Sequence, residues 1–154
     1  MKCVIQRVKS AEVSVGGERV GSCRRGLLVL LGVGKGDTEE AAAKMAGKVA
    51  RLRIFEDEKG KMNRALPDIR GEALVVSNFT LCADCGSGNR PSFTGAEAPE
   101  RAEVLYRLFA SRLEEISCCK TEIGRFGADM EVSLVNDGPV TVILTDADLP
   151  KGNG

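Results

Sequence analysis

The stretch "LVNDGPVTVIL", residues 134–144, decides the fold because two apolar, strand-like runs flank Asp137-Gly138-Pro139. Asp-Gly is typical of a turn between strands, whereas proline usually ends strand pairing because it has no N–H to donate. The stretch therefore predicts a hairpin corner. One question stays open, namely whether Gly138-Pro139 only turns the chain or presents fixed backbone to a ligand.

Outward from this stretch, short runs of strand character alternate with two helical patterns. "CVIQRV" and "EVSVGGERVGSC" predict short strands with a turn at Gly16-Gly17, and "GLLVLLGV", "EALVVSNFTLCA" and the segment 120–145 predict further strands. One helix begins after Asp37 or Thr38 and another begins at Pro99. Their predicted core stripes are Ala42, Met45, Ala46, Val49 and Leu52, and Leu105, Leu108, Phe109, Leu113 and Ile116.

These elements predict one α+β domain over residues 1–145, a mainly antiparallel curved sheet or barrel with two main helices. Residues 146–154, "DADLPKGNG", are predicted to form a flexible C-terminal tail without core-forming residues. A chain of 154 residues is long enough for one substantial core.

The composition excludes several classes of function. The 22 basic side chains equal the 22 acidic ones in number, which argues against wrapping a nucleic acid backbone. The absence of histidine excludes Ser-His and Cys-His catalysis and histidine metal sites. The N-terminal segment is too short and polar for a signal peptide, and no apolar run reaches membrane-spanning length, so a cytoplasmic protein without membrane contact is expected.

Two motifs that suggest cofactor chemistry have simpler interpretations. "LLGVGKGDTEE" resembles a phosphate loop but has Gly36 after Lys35, and its acidic residues occupy the start of the helix, which favours a tight strand-to-helix turn. Cys82-Ala83-Asp84-Cys85 and Cys118-Cys119 lack the two spaced pairs of a zinc site. Free thiols are therefore favoured, with a thiol-redox or zinc protein left as an alternative.

Other polar segments have ordinary interpretations when each is taken alone. "SNFTL", residues 77–81, predicts a strand with Ser77, Phe79 and Leu81 facing the core and Asn78 and Thr80 on the polar face. Arg7 is expected to be a surface residue or an ion-pair partner. "GRFGADM", 124–130, predicts a loop with a buried aromatic anchor, and "RPSF", 90–93, can stack on a nucleotide or fasten a loop.

Taken together and in order, these segments resemble the D-aminoacyl-tRNA deacylase family over residues 1–145. Its motif S-Q-x-x-L falls at Ser77–Leu81 with Asn78 in place of Gln, and its motif N-x-G-P-x-T is matched in full at Asn136–Thr141. The resemblance implies a homodimer that hydrolyses the ester of a D-aminoacyl-tRNA, and of glycyl-tRNA(Ala), at the 3′-terminal adenosine. It also implies that neither a metal nor an organic cofactor is needed.

The resemblance assigns roles to individual residues. Ser77, Asn78, Phe79 and Thr80 would form the catalytic segment, with backbone N–H groups around Phe79 and Thr80 polarising the ester and the Thr80 hydroxyl positioning it. Gly138 and Pro139, joined by a cis bond and held by Arg7, would form a backbone gate in the partner's site that rejects L-aminoacyl groups. The implied substrate-binding residues are Phe126, Gly127, Met130, Arg90, Phe93 and Asn136.

Three features depart from the family pattern. Asn78 replaces Gln, Cys82 stands where an aromatic is common, and the loop "CGSGNRPSF" is less basic than usual, with Arg90 as its one charge. The loss of Gln at position 78 leaves a second hypothesis open. It is a catalytically silent homodimer that binds the 3′ end of tRNA.

Overall fold

A computed structural model describes residues 1–150. The strands are β1 (Lys2–Val15), β2 (Glu18–Cys23), β3 (Gly26–Gly32), β4 (Phe55–Glu56), β5 (Met62–Arg64), β6 (Glu72–Ser77), β7 (Thr121–Ile123) and β8 (Glu131–Thr145). The helices are α1 (Glu39–Ala50) and α2 (Pro99–Ser117), with short 3₁₀ helices at Pro67–Ile69, Phe79–Cys82 and Asp146–Asp148.

The long strand β1 organises the main sheet. It pairs antiparallel with β8 along one edge and with β3 and then β2 along the other, while β3, β6 and β7 are mutually parallel. The sheet curves until β2 meets β7, where the Ser22 N–H donates to the Glu122 carboxylate at 2.7 Å. The expected α+β fold, mainly antiparallel with two main helices, is confirmed.

The two faces of the sheet bury two separate cores. On β3, Leu27, Val29 and Leu31 pack with the helices, whereas Leu28 belongs to a second core inside the curved sheet together with Val8. This explains why "GLLVLLGV" is apolar throughout, since both faces of β3 are covered.

Both helices begin where the sequence predicts, but the predicted core stripe of α2 is wrong at its C-terminal end. Thr38 caps α1 by accepting the Ala41 N–H at 3.1 Å, and Pro99 begins α2. The prediction that Ile116 is a core residue is wrong, because it is 40% exposed. Leu113 is buried, and the next buried position one turn later is Ser117.

The segment after β8 is partly built into the fold. Asp148 accepts the Thr145 N–H at 2.8 Å, and Leu149 packs against the core beneath the helices. The expectation that this segment lacks core-forming residues is therefore wrong at Leu149. For residues 151–154 the predicted flexible tail lies outside the described residues.

The hairpin corner predicted at Asp137-Gly138 is also wrong. Residues 131–145 form one strand, and both of its halves pair with β1. Proline interrupts the hydrogen bonds locally, but the residues on either side of it pair with the same neighbour, β1, because β1 is long enough to receive both halves of β8.

No helix within residues 1–150 is long and apolar enough to cross a membrane.

Candidate active site

The interruption in β8 is a bulge that surrounds Arg7. Gln6 is opposite Thr141 and Val8 is opposite Asn136, so one residue of β1 faces the four residues 137–140 of β8. Within this bulge the Gly138-Pro139 bond is cis, as the resemblance implied, and Gly138 has a φ of 143°. Both residues are exposed. At Gly138 and Pro139 the bulge therefore exposes backbone whose own residues carry no polar side chain.

Arg7 holds the base of the bulge from within. Its Nε donates to the carbonyl oxygen of Asp137 at 2.8 Å, and its Nη1 donates to the carbonyl oxygen of Ile54 at 2.7 Å. The Asp137 carboxylate lies 3.5 Å from the same Nε. Arg7 is only 6% exposed, so the expectation of a surface residue is wrong, and its role as an ion-pair partner agrees with the contact to Asp137.

A cleft of about 610 Å³ opens at the mouth of the curved sheet. Its floor is apolar and comes from β3, β6 and β8. Six of the predicted site residues line it: Ser77, Asn78, Phe79, Phe126, Gly127 and Met130. Two segments that are far apart in sequence, the end of β6 and the loop before β8, thus meet at one cavity.

The segment after Ser77 is a turn of 3₁₀ helix and not the predicted strand. The Asn78 N–H still continues the sheet by donating to Leu31 at 2.8 Å, but residues 79–82 then coil. Phe79 is consequently 58% exposed instead of facing the core, and its ring contacts Phe93 edge to face at 5.2 Å. The prediction that Phe79 is a core residue is wrong.

This turn exposes polar groups next to the cleft, although Thr80 itself is exposed and lies outside the cleft lining. The first internal hydrogen bond of the turn runs from the Leu81 N–H to Asn78, so the N–H groups of Phe79 and Thr80 precede it. The Thr80 hydroxyl donates to the side-chain oxygen of Asn78 at 2.5 Å. The arrangement offers two backbone donors beside a hydroxyl, which suits the polarisation of a carbonyl group.

Gly32 allows the turn to sit directly on the end of β3. A Cβ at this position would lie 2.9 Å from the Cβ of Leu81 and 3.1 Å from the carbonyl oxygen of Asn78. Sequence reasoning gave Gly32 no role. The available signal was a glycine that ends an apolar strand and permits close approach of another segment.

The aromatic wall of the cleft is supported from behind. The ring of Phe126 lies 5.8 Å from that of Tyr106. The Tyr106 hydroxyl is buried and donates to the carbonyl oxygen of Val75 at 2.8 Å. Burial raises the pKa of Tyr106 to about 12, so the group remains a hydrogen-bond donor at neutral pH.

The other predicted site residues lie outside the cleft lining. Arg7 and Asn136 belong to the β1–β8 region of the bulge, together with Gly138 and Pro139, while Arg90 is exposed on the loop before Phe93. Sequence reasoning missed Gln6 and Glu97, which line the cleft. Strand alternation along "CVIQRV" predicts that Gln6 points to the opposite face from Ile5, and this could have identified Gln6. Glu97 follows a loop, so no periodic pattern indicates its position.

The cysteines do not gather. All six are free, and residues 1–150 contain no group of three or more cysteine or acidic side chains placed to hold a metal. Burial raises the pKa of the Cys82 thiol, which keeps it protonated at neutral pH and weakens it as a nucleophile.

Fold and cleft together define a class of protein, a small α+β barrel with an apolar cleft that is also lined by neutral polar side chains and one carboxylate. Comparison with known proteins narrows this class. The D-Tyr-tRNA(Tyr) deacylase family matches residues 4–145. D-aminoacyl-tRNA deacylases of Paracoccus denitrificans and Magnetococcus marinus are 56% and 54% identical, over 96% and 100% of this chain and 99% and 100% of theirs.

Solved structures agree. One described as "c-Myc DNA Unwinding Element Binding Protein" is 42% identical, with a TM-score of 0.85 over 94% of this chain and 98% of that one. Another, a probable eukaryotic D-amino acid tRNA deacylase, shares the fold with a TM-score of 0.78 at 16% identity, over 93% of this chain and 97% of that one. The chain belongs to the D-Tyr-tRNA(Tyr) deacylase family, which is a family of hydrolases.

Proposed function

We propose that this hydrolase cleaves the ester bond of D-aminoacyl-tRNA and releases the free D-amino acid and tRNA. One observation carries the proposal: the Ser77–Phe79 segment and the Phe126–Met130 segment line a single cleft. Beside it lies an exposed turn whose Phe79 and Thr80 N–H groups donate to no backbone carbonyl within residues 1–150. An aminoacyl ester is already activated, so a site that positions it and polarises its carbonyl supplies most of the catalysis.

The N–H groups of Phe79 and Thr80 stabilise the oxyanion that forms when the ester carbonyl is attacked. Ser77 and Asn78 set the position of this segment, and the Thr80 hydroxyl, bonded to Asn78, positions the ester. Thr80 is not the nucleophile, because a threonine nucleophile needs an adjacent base and its hydroxyl is bonded to an amide. The attacking group is water, assisted by the 2′-hydroxyl of the terminal ribose.

Selection between D and L substrates falls to Gly138 and Pro139 of a second copy in a homodimer. Their carbonyl groups receive the α-amino group, an L side chain is directed into the backbone, and a D side chain points outward. Glycine has no side chain to exclude, so glycyl-tRNA(Ala) is also a substrate. Arg7 keeps the bulge in place through Asp137.

Two features support contribution from a second copy. The bulge residues are exposed and lie outside the cleft lining of their own chain. They also belong to β8, an edge strand that pairs with β1 alone within the described residues and exposes Val135 and Ile143. An apolar, unpaired strand edge is a surface that proteins commonly cover.

The 3′-terminal adenosine occupies the part of the cleft formed by Phe126, Gly127 and Met130. Phe93, packed on Phe79, and Arg90 contact the adjacent nucleotides, and Asn136 supports the gate from the start of its motif. The reaction needs no metal or organic cofactor, and the protein works in the cytoplasm, where aminoacyl-tRNA is found.

The test follows D-tyrosyl-tRNA and glycyl-tRNA(Ala) with purified protein, measuring ester loss and binding of uncharged tRNA in parallel. Rapid loss of both esters at catalytic protein concentrations is expected. Binding of the 3′ end without ester loss would instead establish the silent binding homodimer, which the replacement of Gln by Asn78 makes a specific alternative.

A further inference from the structure

Glu97 is the one charged side chain that lines the cleft within residues 1–150. Among the described residues that line the cavity, the others are apolar or carry neutral amide and hydroxyl groups. Glu97 is half-buried, so its carboxylate is partly shielded from water. A cleft with one negative and no positive side chain favours a cationic ligand group and disfavours a phosphate.

The backbone fixes Glu97 next to the catalytic segment. The Asn78 N–H donates to the carbonyl of Leu31 at 2.8 Å, and the Glu97 N–H donates to the carbonyl of Val33 at 3.0 Å. Carbonyl groups two residues apart on an extended chain point the same way and are about 6.6 Å apart. Glu97 therefore lies next to Asn78, along the same edge of the chain segment that contains Leu31 and Val33.

The carboxylate has one oxygen engaged. Oε1 accepts the Ala98 N–H at 2.8 Å where α2 begins, which holds the side chain in place. The other oxygen, Oε2, accepts no hydrogen bond from the residues that the structure describes. One carboxylate oxygen is thus available to a ligand that enters the cleft.

We propose that Glu97 binds the α-ammonium group of the aminoacyl ester, an inference that rests on the proposed function. An ammonium group has three N–H donors. Two are used by the carbonyls of Gly138 and Pro139 from the second copy, and the third donates to Oε2 of Glu97. The preferred substrates are consequently esters with a free amino group, and esters whose amine is blocked bind poorly.

The experiment measures binding of two hydrolysis-resistant adenosine analogues by calorimetry at pH 7, where an α-amino group is protonated. One carries D-phenylalanine in amide linkage at the 3′ position, and the other carries D-phenyllactic acid, in which a hydroxyl replaces the amine. Glu97→Gln is expected to weaken binding of the amine analogue about tenfold, the value of one charge-assisted hydrogen bond in a half-exposed site. Binding of the hydroxyl analogue should change less than about twofold.

Glu100→Gln is the matched control, because Glu100 is exposed in the first turn of the same helix and outside the cleft lining. It should leave both affinities unchanged. Equal weakening of both analogues by Glu97→Gln, no weakening of either, or failure of the wild-type protein to prefer the amine would each overturn the inference. Absence of D-aminoacyl-tRNA hydrolysis by a wild-type protein that still shows the Glu97-dependent preference would overturn the proposed function alone.

Discussion

Replacing Arg7 by Met tests how the bulge is held. The methionine side chain fills similar space but removes the donors to the carbonyls of Asp137 and Ile54, which lie at 2.8 and 2.7 Å. It also removes the positive charge beside the Asp137 carboxylate. The bulge then loses the hydrogen bonds through which Arg7 links Asp137 to Ile54.

The expected loss of folding free energy follows from the burial of Arg7. Hydrogen bonds from charged groups contribute about 1.5–3 kcal/mol each, and loss of one partner of a buried pair costs about 3–5 kcal/mol. The Asp137 side chain is 30% exposed, which screens its charge and favours the lower end, about 3 kcal/mol. Arg7→Lys retains the charge but reaches one carbonyl, so about 1–2 kcal/mol is expected.

Urea unfolding measures the stability change, and deacylation of D- and L-tyrosyl-tRNA well below the transition measures selection. Arg24→Met is the control, because Arg24 pairs with Glu72 but its side chain is 89% exposed, so a loss below about 1 kcal/mol is expected. Arg7→Met should lose stability and, while folded, hydrolyse the L ester faster than wild type. A variant as stable as Arg24→Met, or one with full rejection of the L ester, would refute this reasoning.

Three further predictions concern the cleft, the gate and the core. Thr80→Val should lower kcat/KM about tenfold, as expected for a positioning hydroxyl, and a loss beyond about a thousandfold would instead indicate a nucleophile. Gly138→Ala should raise the rate of hydrolysis of L-tyrosyl-tRNA. The new Cβ would lie 2.7 Å from the Val140 nitrogen, at a residue whose φ is 143°, so the backbone of the gate must shift. Unchanged rates on both the D and the L ester would contradict this. Tyr106 is the only tyrosine of the chain, and its pKa is raised from 10.0 to about 12. The stability that it contributes should therefore be complete below pH 10 and lost as the pH rises towards 12. An absorbance titration that shows tyrosinate near pH 10 in the folded protein would contradict its burial.

Local patterns predicted most of the fold. The turn at Gly16-Gly17 and the start of α2 at Pro99 are confirmed, and of the two predicted caps, Asp37 or Thr38, the structure has Thr38. Each of these features depends on a few neighbouring residues. The hairpin at Asp137-Gly138 is wrong because strand pairing is decided by a distant neighbour. Both halves of β8 pair with β1 because β1 is long enough to receive them, and this cannot be seen in residues 134–144 alone.

The site was partly predictable. Motif resemblance identified Ser77 to Phe79 and the Phe126 segment, which the fold brings to one cleft. Period-two reasoning placed Phe79 in the core, because it could not show that Gly32 lets the chain coil at the end of β3. Glu97 escaped notice because its position depends on a long-range hydrogen bond to Val33.

The most direct test of the central claim is a competition in one reaction. D-tyrosyl-tRNA and L-tyrosyl-tRNA, labelled differently, are mixed in equal amounts with the wild-type protein, and the loss of each ester is followed over time. The account predicts that the D ester disappears while the L ester decays at the rate seen without protein. Loss of both esters at similar rates would contradict a backbone gate at Gly138 and Pro139.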